Sequence, residues 1–530
     1  MPAMYHELLN QDLQPLGTAV TAWRRLAEAC EETHDGAHAR VSRPLIDAKW
    51  AGQSADTGLR AMAVTQSILT TASRNALLLA AVLDEASTRM HAARQRLRTA
   101  VAEAEDAGHR VGEDGTVAAR PRQPSPDDLA DQGRLLRESV EVAGYQSRID
   151  EAVDEARDAS ARAGRALREL DPFTLDKEYG AQTTDEAAAR LAEAHGIGIS
   201  SDAIPTDRPP AEAARWWSGL TDLERDILVA SYPTEIGALD GLPAETRDEA
   251  NRAALDARLN DLRAREHDLG HHDRFVYDGL TRLQGILDER TGASDEQRLY
   301  LLGFGTQDDG RAIVAQGNPD TAAHTAVLVP GTGTDINGVG GQLVRTERMQ
   351  EAAIRLGRGD VSVISWLDYD APEISDSVIT RGRANEAAPD LRDFTAGLKA
   401  AHAGADSHLT VVGHSYGSTA VGAADSGGGG LGADDIIVLG SPGMTVSNVE
   451  QLHISPECLW VGAASDDFVA HNLSGLSLGR SPQHFAFGDV REMPVDTTGH
   501  SAYWDRSSLS LTNMGRIIAG EPPLNESAGQ

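Results

Sequence analysis

The sequence predicts an α/β fold, a mainly parallel sheet with helices on both faces, preceded by an all-α region. Three observations predict it. Residues 1 to about 295 are rich in Ala, Glu and Arg, with apolar residues at helical spacing. From about residue 298, short apolar, β-rich runs alternate with helical stretches, the pattern of a parallel sheet. Most of these runs end in a Gly-containing turn, the place where sites form in such sheets.

Composition narrows the possible partners. The chain has 530 residues and a formal net charge of −33, with lysine only at Lys49, Lys177 and Lys399. Such a field repels nucleic acid and anionic membrane surfaces. Cys30 and Cys458 are far apart and lack metal-ligand spacing, so neither a disulfide framework nor a metal site is expected. The first residues, MPAMYHELLNQDLQ, lack a basic stretch followed by an apolar one. We therefore expect a cytoplasmic protein, or one exported without a cleavable signal peptide. No run of about 18 apolar residues occurs, so no membrane span is expected.

The helical region opens with a strong heptad pattern. Met62, Leu69, Ala76, Leu83, Met90 and Leu97 fall seven apart, and Ala72, Leu79, Ala86, Ala93 and Ala100 follow three residues later. This spacing lays one apolar seam along a long helix. Leu16, Val20, Trp23, Leu26, Ala27 and Cys30 give a shorter helix before it, and Trp50-Ala51-Gly52 lies between the two. Two such helices around a Trp-x-Gly turn resemble the WXG100-type hairpins associated with type VII secretion. The resemblance covers about the first 100 residues and implies a helical partner or a type VII-like secretion machinery. The Tyr-x-x-x-Asp/Glu signal usual in such substrates does not follow the second helix. Tyr369–Glu373 has that spacing but lies in the later half. The short first helix cannot cover the whole seam, so residues 136–195 are expected to cover the rest. Residues 106–135 read as a loop or short hairpin, 136–170 and 184–195 as helices, and 199–210 as a linker.

The expected boundaries are 1–105 for the hairpin, 106–210 for loop, helix and linker, and 211–295 for a helical connecting segment. A domain over 296–522 and a disordered tail over 523–530 complete the chain. The connecting segment carries Trp216-Trp217, Leu220, Glu224-Arg225, Pro233, Ile236-Gly237, Leu239-Asp240-Gly241-Leu242-Pro243, Arg247-Asp248 and Asn251-Arg252. Asp240-Gly241 signals a turn, and Pro243 can open a helix. No chemistry follows from these residues alone. Their pattern resembles the segment that precedes the catalytic domain in an actinobacterial α/β-hydrolase family formerly described as a domain of unknown function. That similarity extends over roughly residues 210–520.

The later half supplies the chemistry. Arg298–Phe304 and Arg311–Gln316 read as a hairpin. Thr325–Val329, Val361–Trp366, Leu409–Val412, Ile436–Leu439 and Cys458–Val461 read as buried strands, and Phe485-Ala486-Phe487 precedes the stretch leading to His500. Leu409–Val412 runs into Gly413-His414-Ser415-Tyr416-Gly417, a Gly-x-Ser-x-Gly elbow followed by small residues that begin a helix. A strand-to-helix turn this sharp needs glycine on both sides and lifts the serine hydroxyl above the sheet. This is the signature of the α/β-hydrolase fold, with Ser415 as nucleophile.

A serine hydroxyl needs a base, and in this fold the chain order is Ser, then Asp or Glu, then His. Gly499-His500-Ser501 lies in a turn-rich loop after the last strand, and the aromatics Tyr503 and Trp504 follow to anchor it. His500 is the expected base, ahead of His453, His471 and His484. Asp466 and Asp467 both follow the Cys458–Val461 strand. In the resembling family the acid is followed by one residue and then Val, which matches Asp467-Phe468-Val469 and implies Asp467. Backbone N–H groups of Tyr416, after the nucleophile, and Thr332, in the Pro330–Gly333 loop, are the expected oxyanion donors. No lysine lies near that loop, which argues against phosphate binding.

The expected reaction is hydrolysis of a carboxylic ester or thioester through an acyl-enzyme, with no metal or organic cofactor. Only 4% of residues are aromatic and no long apolar lid is evident, which favours a small or medium acyl substrate over a bulk lipid. The rival reading is a secreted effector or interaction protein that uses the hydrolase fold.

Overall fold

A computed structural model describes residues 2–37, 40–41, 44–45, 53–119, 128–169, 201–290, 293–373, 380–404, 407–472 and 478–525. Trp50-Ala51-Gly52, the helix expected over 184–195 and the last part of the tail lie outside them. The chain forms two compact units, residues 1–201 with 221–231, and residues 202–220 with 232–530. The chain therefore passes between units three times.

The first unit is helical. Its elements are α1 (Pro2–Asn10), α2 (Gln14–Ala37), α3 (Gln53–Asp106), a two-stranded hairpin of β1 (Arg110–Val111) and β2 (Val117–Ala118), and α4 (Asp128–Glu169). The hairpin falls where the sequence allows a loop or short hairpin. The seam on α3 is buried at Ala76, Ala86, Ala93, Leu97 and Ala100. Its alanines let neighbouring helices come close. Cover is intramolecular: Ile149, Ala152, Val153 and Ala156 of α4 meet Ala93, Leu97, Ala100 and Ala104. Between Ser73 and Val82 every described side chain but Leu79 is buried. A stretch buried on every face has neighbours all round, so α3 is the axis of a bundle in which α2 also packs along it. Leu26 is exposed, whereas Val20 and Ala27 of α2 face the core.

Later helices divide between the units. Asp222–Ser231 (α6) belongs to the bundle: Leu223 and Ile227 join Val20, Leu78 and Ala166 in one cluster, and Arg24 pairs with Asp226 at 2.6 Å. Its neighbours Pro210–Ser218 (α5) and Pro233–Gly237 (α7) belong to the second unit, as do α8 (Ala244–Ala264) and α9 (His271–Glu289).

The second unit is built on an eight-stranded sheet. Its strands are β3 (Leu299–Gly305), β4 (Arg311–Gln316), β5 (His324–Val329), β6 (Val361–Leu367), β7 (His408–His414), β8 (Asp435–Leu439), β9 (Leu459–Gly462) and β10 (Arg491–Glu492). The order across the sheet is β10-β9-β8-β7-β5-β6-β4-β3. Strands β5 to β10 run parallel, and β4 alone runs antiparallel to its neighbours β3 and β6. The main helices between them are α10 (Val339–Ile354), α11 (Gly382–Ala401), α12 (Tyr416–Asp425), α13 (Phe468–Asn472) and α14 (Leu509–Ile518). Apolar residues on both sides of β5 to β8 fill two separate clusters, which is why these strands read as continuous apolar runs. Phe485–Phe487 is a 3₁₀ turn: Gly488, with φ 123°, ends it, and Phe485 points into solvent. The last strand before His500 is instead the short β10.

The connecting segment gains a physical role here. Helix α8 lies along β3, the edge strand, and ties it down with polar side chains. Asp248 accepts the Leu301 N–H at 2.7 Å, Asn251 donates to the Leu301 and Gly237 carbonyls at 3.0 Å each, and Arg252 donates to the Leu299 carbonyl at 2.9 Å. Arg247 is buried over the Phe394 ring and pairs with Asp240 at 2.6 Å. An uncovered edge strand invites association with other chains, so these residues close the sheet. Among the described residues, no helix is long and apolar enough to cross a membrane.

Candidate active site

Parallel strands β5, β7, β8 and β9 end on one side of the sheet; Thr332, Ser415 and Asp467 follow the ends of β5, β7 and β9, and His500 lies in the loop after β10. Ser415 lies between β7 and α12 with φ 54° and ψ −129°. Few residues other than glycine accept this backbone region, and the surrounding chain holds it. The Ser415 N–H donates to the Leu439 carbonyl of β8 at 2.9 Å, and its carbonyl accepts the Ser418 N–H at 3.0 Å. A Cβ on Gly417 would stand 2.1 Å from the Val329 carbonyl oxygen, and one on Gly413 would stand 2.6 Å from the Ser418 Cα. Both elbow glycines are therefore set by close backbone approach. Backbone strain of this kind clusters at functional sites, and here it falls on a serine hydroxyl at a strand end.

The loop after β5 lies against the elbow. A Cβ on Gly331 would meet the Ser415 Cβ at 2.7 Å and the Tyr416 nitrogen at 3.1 Å. Tyr369 fixes this loop from below by donating to the Pro330 carbonyl at 2.5 Å, and Gly333 donates to the Pro372 carbonyl at 3.0 Å. Thr332, half-buried, sits between those two anchors. Tyr416 opens α12, where a backbone N–H has no partner within the helix. Its ring is buried, and its hydroxyl donates to the Thr380 carbonyl at 2.5 Å. Tyr369, buried in this way, is a core residue and not an exposed signal.

Asp467 follows β9 and is fully buried. Both of its oxygens lie 2.9 Å from His500 Nδ1. Burial by itself would raise the Asp467 pKa; hydrogen bonds from His500 and Tyr503 overcome it and bring the value down to about 2. The carboxylate is thus charged and His500 Nδ1 carries its proton toward it, which leaves Nε2 free to accept another. Asp466 is exposed and accepts the Gly499 N–H at 2.7 Å, one residue before His500. The two adjacent aspartates therefore hold the same loop by different atoms. Gly440, at the end of β8, faces this pair: a Cβ there would stand 2.6 Å from Asp467 Oδ2 and 2.9 Å from the His500 ring.

His414 is a site residue that sequence reasoning passed over as the variable position of the elbow. Its ring lies 4.9 Å from that of His500, and its Nε2 reaches the His500 carbonyl oxygen at 2.8 Å. Burial, then the nearby His500 and Arg345, push its pKa down to about 3, so the ring is neutral and donates from Nε2. His414 thus joins the loop that carries His500 to the residue before Ser415. The other histidines weighed as bases have fixed structural partners. His471 Nε2 lies 3.0 Å from the Ala464 carbonyl, His453 hydrogen-bonds the Asp425 carbonyl, and His484 caps the 3₁₀ turn after it. Asp309, Asp370 and Glu373 bring their carboxylates within 4.8 Å of one another, and Asp370 is paired with Arg383.

Comparison with known proteins agrees with this architecture. The family described as alpha/beta hydrolase matches residues 306–477. The chain is 32% identical over 367 residues to the uncharacterized protein Rv2079 of Mycobacterium tuberculosis (strain ATCC 25618 / H37Rv). That match covers 58% of this chain and 55% of Rv2079, so the chain spans about half the length of that relative. It is 30% identical over 240 residues to the uncharacterized proteins Rv0963c of the same strain and Mb0988c of Mycobacterium bovis (strain ATCC BAA-935 / AF2122/97), covering 43% of this chain and 83% of each relative. No solved structure matches the chain. With its mostly parallel sheet, its strand-end elbow and relatives matched over most of their length, the chain belongs to the alpha/beta hydrolase family.

Proposed function

We propose that the chain is a serine hydrolase that cleaves a carboxylic ester or thioester through an acyl-enzyme. The observation that carries this reading is the strained backbone of Ser415 at the end of β7, whose neighbour His414 bonds the His500 carbonyl, with His500 in turn held by the buried Asp467. Ser415 Oγ attacks the substrate carbonyl while His500 Nε2 takes its proton. The His500 Nδ1–H keeps donating to the Asp467 carboxylate, which stabilises the imidazolium. The oxyanion accepts hydrogen bonds from the Tyr416 and Thr332 N–H groups. His500 then gives its proton to the departing alcohol or thiol, and water repeats the sequence to release the acid. The reading needs no group from outside the chain. It favours small or medium acyl groups.

The test is hydrolysis of p-nitrophenyl esters of graded acyl length, with Ser415→Ala as the control. Labelling by a fluorophosphonate probe separates an active hydrolase from an interaction protein that only shares the fold. Labelling of the natural chain but not of Ser415→Ala supports the reading. Hydrolysis by both proteins at the same rate overturns it.

A further inference from the structure

The Asp467 carboxylate is held by more than its histidine. Val469 and Ala470 aim backbone N–H groups at Oδ1, at 2.9 and 3.2 Å. The Tyr503 hydroxyl lies 2.5 Å from Oδ2. Tyr503 is fully buried, and its oxygen also accepts the Ala464 N–H at 3.1 Å. This fixes the direction of the bond. The Ala464 N–H can only donate and the carboxylate can only accept, so the single hydroxyl proton points at Asp467. Ala464 lies three residues before Asp467 and Tyr503 three after His500, so one hydroxyl joins the acid loop to the base loop.

We propose that Tyr503 is a positioning residue of the active site, whose hydroxyl locks Asp467 in the rotamer that faces His500 and holds it as the carboxylate. The inference rests on the reading of Ser415, His500 and Asp467 as the reacting set. A donor on a buried carboxylate favours its charged form, where burial alone would favour the acid. The same bond withdraws negative charge that His500 would otherwise feel. Removing the hydroxyl therefore has two consequences. Asp467 is freer to turn, which lowers turnover. Where it still faces His500, it holds the imidazolium more tightly, which moves the acid limb of the rate profile to higher pH. Other ionisable groups around the cluster are His414 on β7, Arg345 on α10, whose guanidinium lies over the Trp504 ring, and Asp466 and His471 beside Asp467. None of them is altered by the substitution.

The experiment measures kcat and KM of the full chain against pH on p-nitrophenyl butyrate, for the natural protein, Tyr503→Phe and Ser415→Ala. Tyr503→Phe is expected to lower kcat about tenfold with KM nearly unchanged, and to raise the acid limb of kcat/KM by about half a pH unit. Tyr503→Gln, which restores a donor, should return part of the limb. A residue that only filled space would leave the limb in place, and an unmoved limb in a folded Tyr503→Phe protein overturns the proposal. If circular dichroism shows Tyr503→Phe unfolded, Tyr503→Met carries the same comparison, because Met fills irregular gaps flexibly. Loss of labelling in Ser415→Ala together with a natural profile in Tyr503→Phe defeats this inference alone. Full activity in Ser415→Ala defeats the triad reading beneath it.

Discussion

The helical bundle and the sheet unit bury their residues for different reasons, and the sequence reports the two unequally. In the bundle, α3 is covered by α2, α4 and α6 through alanines and leucines that any apolar neighbour would satisfy. In the sheet unit, the residues after β5, β7, β8 and β9 meet demands that few others satisfy: a positive φ at Ser415, a backbone approach that excludes a side chain at Gly417, a buried charge at Asp467. A heptad repeat says that a face is buried without saying by what. A strand-end motif names its own location. One architecture is thus fixed by pattern, the other by individual residues.

If that contrast holds, substitutions at strand ends should abolish chemistry and leave the fold intact. The largest effect is expected for Ser415→Ala, about 10⁶-fold in kcat by analogy with a triad knockout, with an unchanged melting temperature. Ester hydrolysis and thermal melting of the purified chain measure both. Asp467→Asn is next. It keeps the shape of the site but presents an amide to His500, which favours the wrong tautomer, and should cost about 10⁴-fold. Asp466→Asn should cost far less, because its one hydrogen bond in the site goes to the Gly499 backbone. The reverse ranking, in variants of equal stability, would move the acid to Asp466.

The bundle should behave in the opposite way. Leu97 is completely buried on the α3 seam, against α4 and α1. Leu97→Asp places an unpaired charge there, at a cost of several kcal/mol, about 3 or more, which is a large share of a domain's stability. Helical circular dichroism should fall, while ester hydrolysis per folded sheet unit persists. Loss of hydrolysis in step with helicity would mean that the two units fold as one. Unchanged helicity would mean that α4 does not cover the seam.

These two kinds of information also account for what could be read in advance. The chain positions of β3 to β9, and the placing of Ser415, Asp467 and His500 in the turns and loops that follow strands, were legible because alternating runs and tight turns are written in consecutive residues. The place of α6 was not. Its Leu223 and Ile227 look like any other helical face, and only packing assigns them to Val20 and Leu78 in the first unit. The roles of Asp248, Asn251 and Arg252 were hidden too. They satisfy backbone groups of β3 some fifty residues away, and nothing local encodes that. The 3₁₀ turn at Phe485–Phe487 had no local signal either, because two aromatics flanking an alanine suit several conformations. His414 occupies a variable position of its motif, so its bond to the His500 carbonyl had no signal in sequence.

Strand β7 repeats the contrast on a smaller scale, since it begins and ends with histidine. His414 is neutral, because burial dominates and only one of its nitrogens meets an acceptor. His408 meets acceptors at both nitrogens, the Ile518 carbonyl at 3.1 Å from Nδ1 and Asp435 Oδ2 at 2.9 Å from Nε2. Both acceptors are satisfied only when the ring carries two protons, so the fold favours the imidazolium form of His408. Its hydrogen bond to Asp435 raises its pKa, against the opposing effect of burial. The unfolded chain has the ordinary value of about 6.5. A folded value above the unfolded one means that protons bind more tightly to the native state. The stabilisation is therefore complete below pH of about 6.5 and fades as pH rises through the folded value. His408→Gln removes this contribution, and Asp435 keeps its hydrogen bond from Trp460 at 2.6 Å. The difference in stability between the natural chain and the variant should be largest near pH 6 and shrink toward pH 9, by no more than about 1 kcal/mol, the scale of one partly exposed ion pair. Taking the difference cancels the repulsion of the −33 net charge, which both proteins share. Urea unfolding of both at several pH values measures it, and a difference that stays flat with pH would show that His408, like His414, is neutral in the fold.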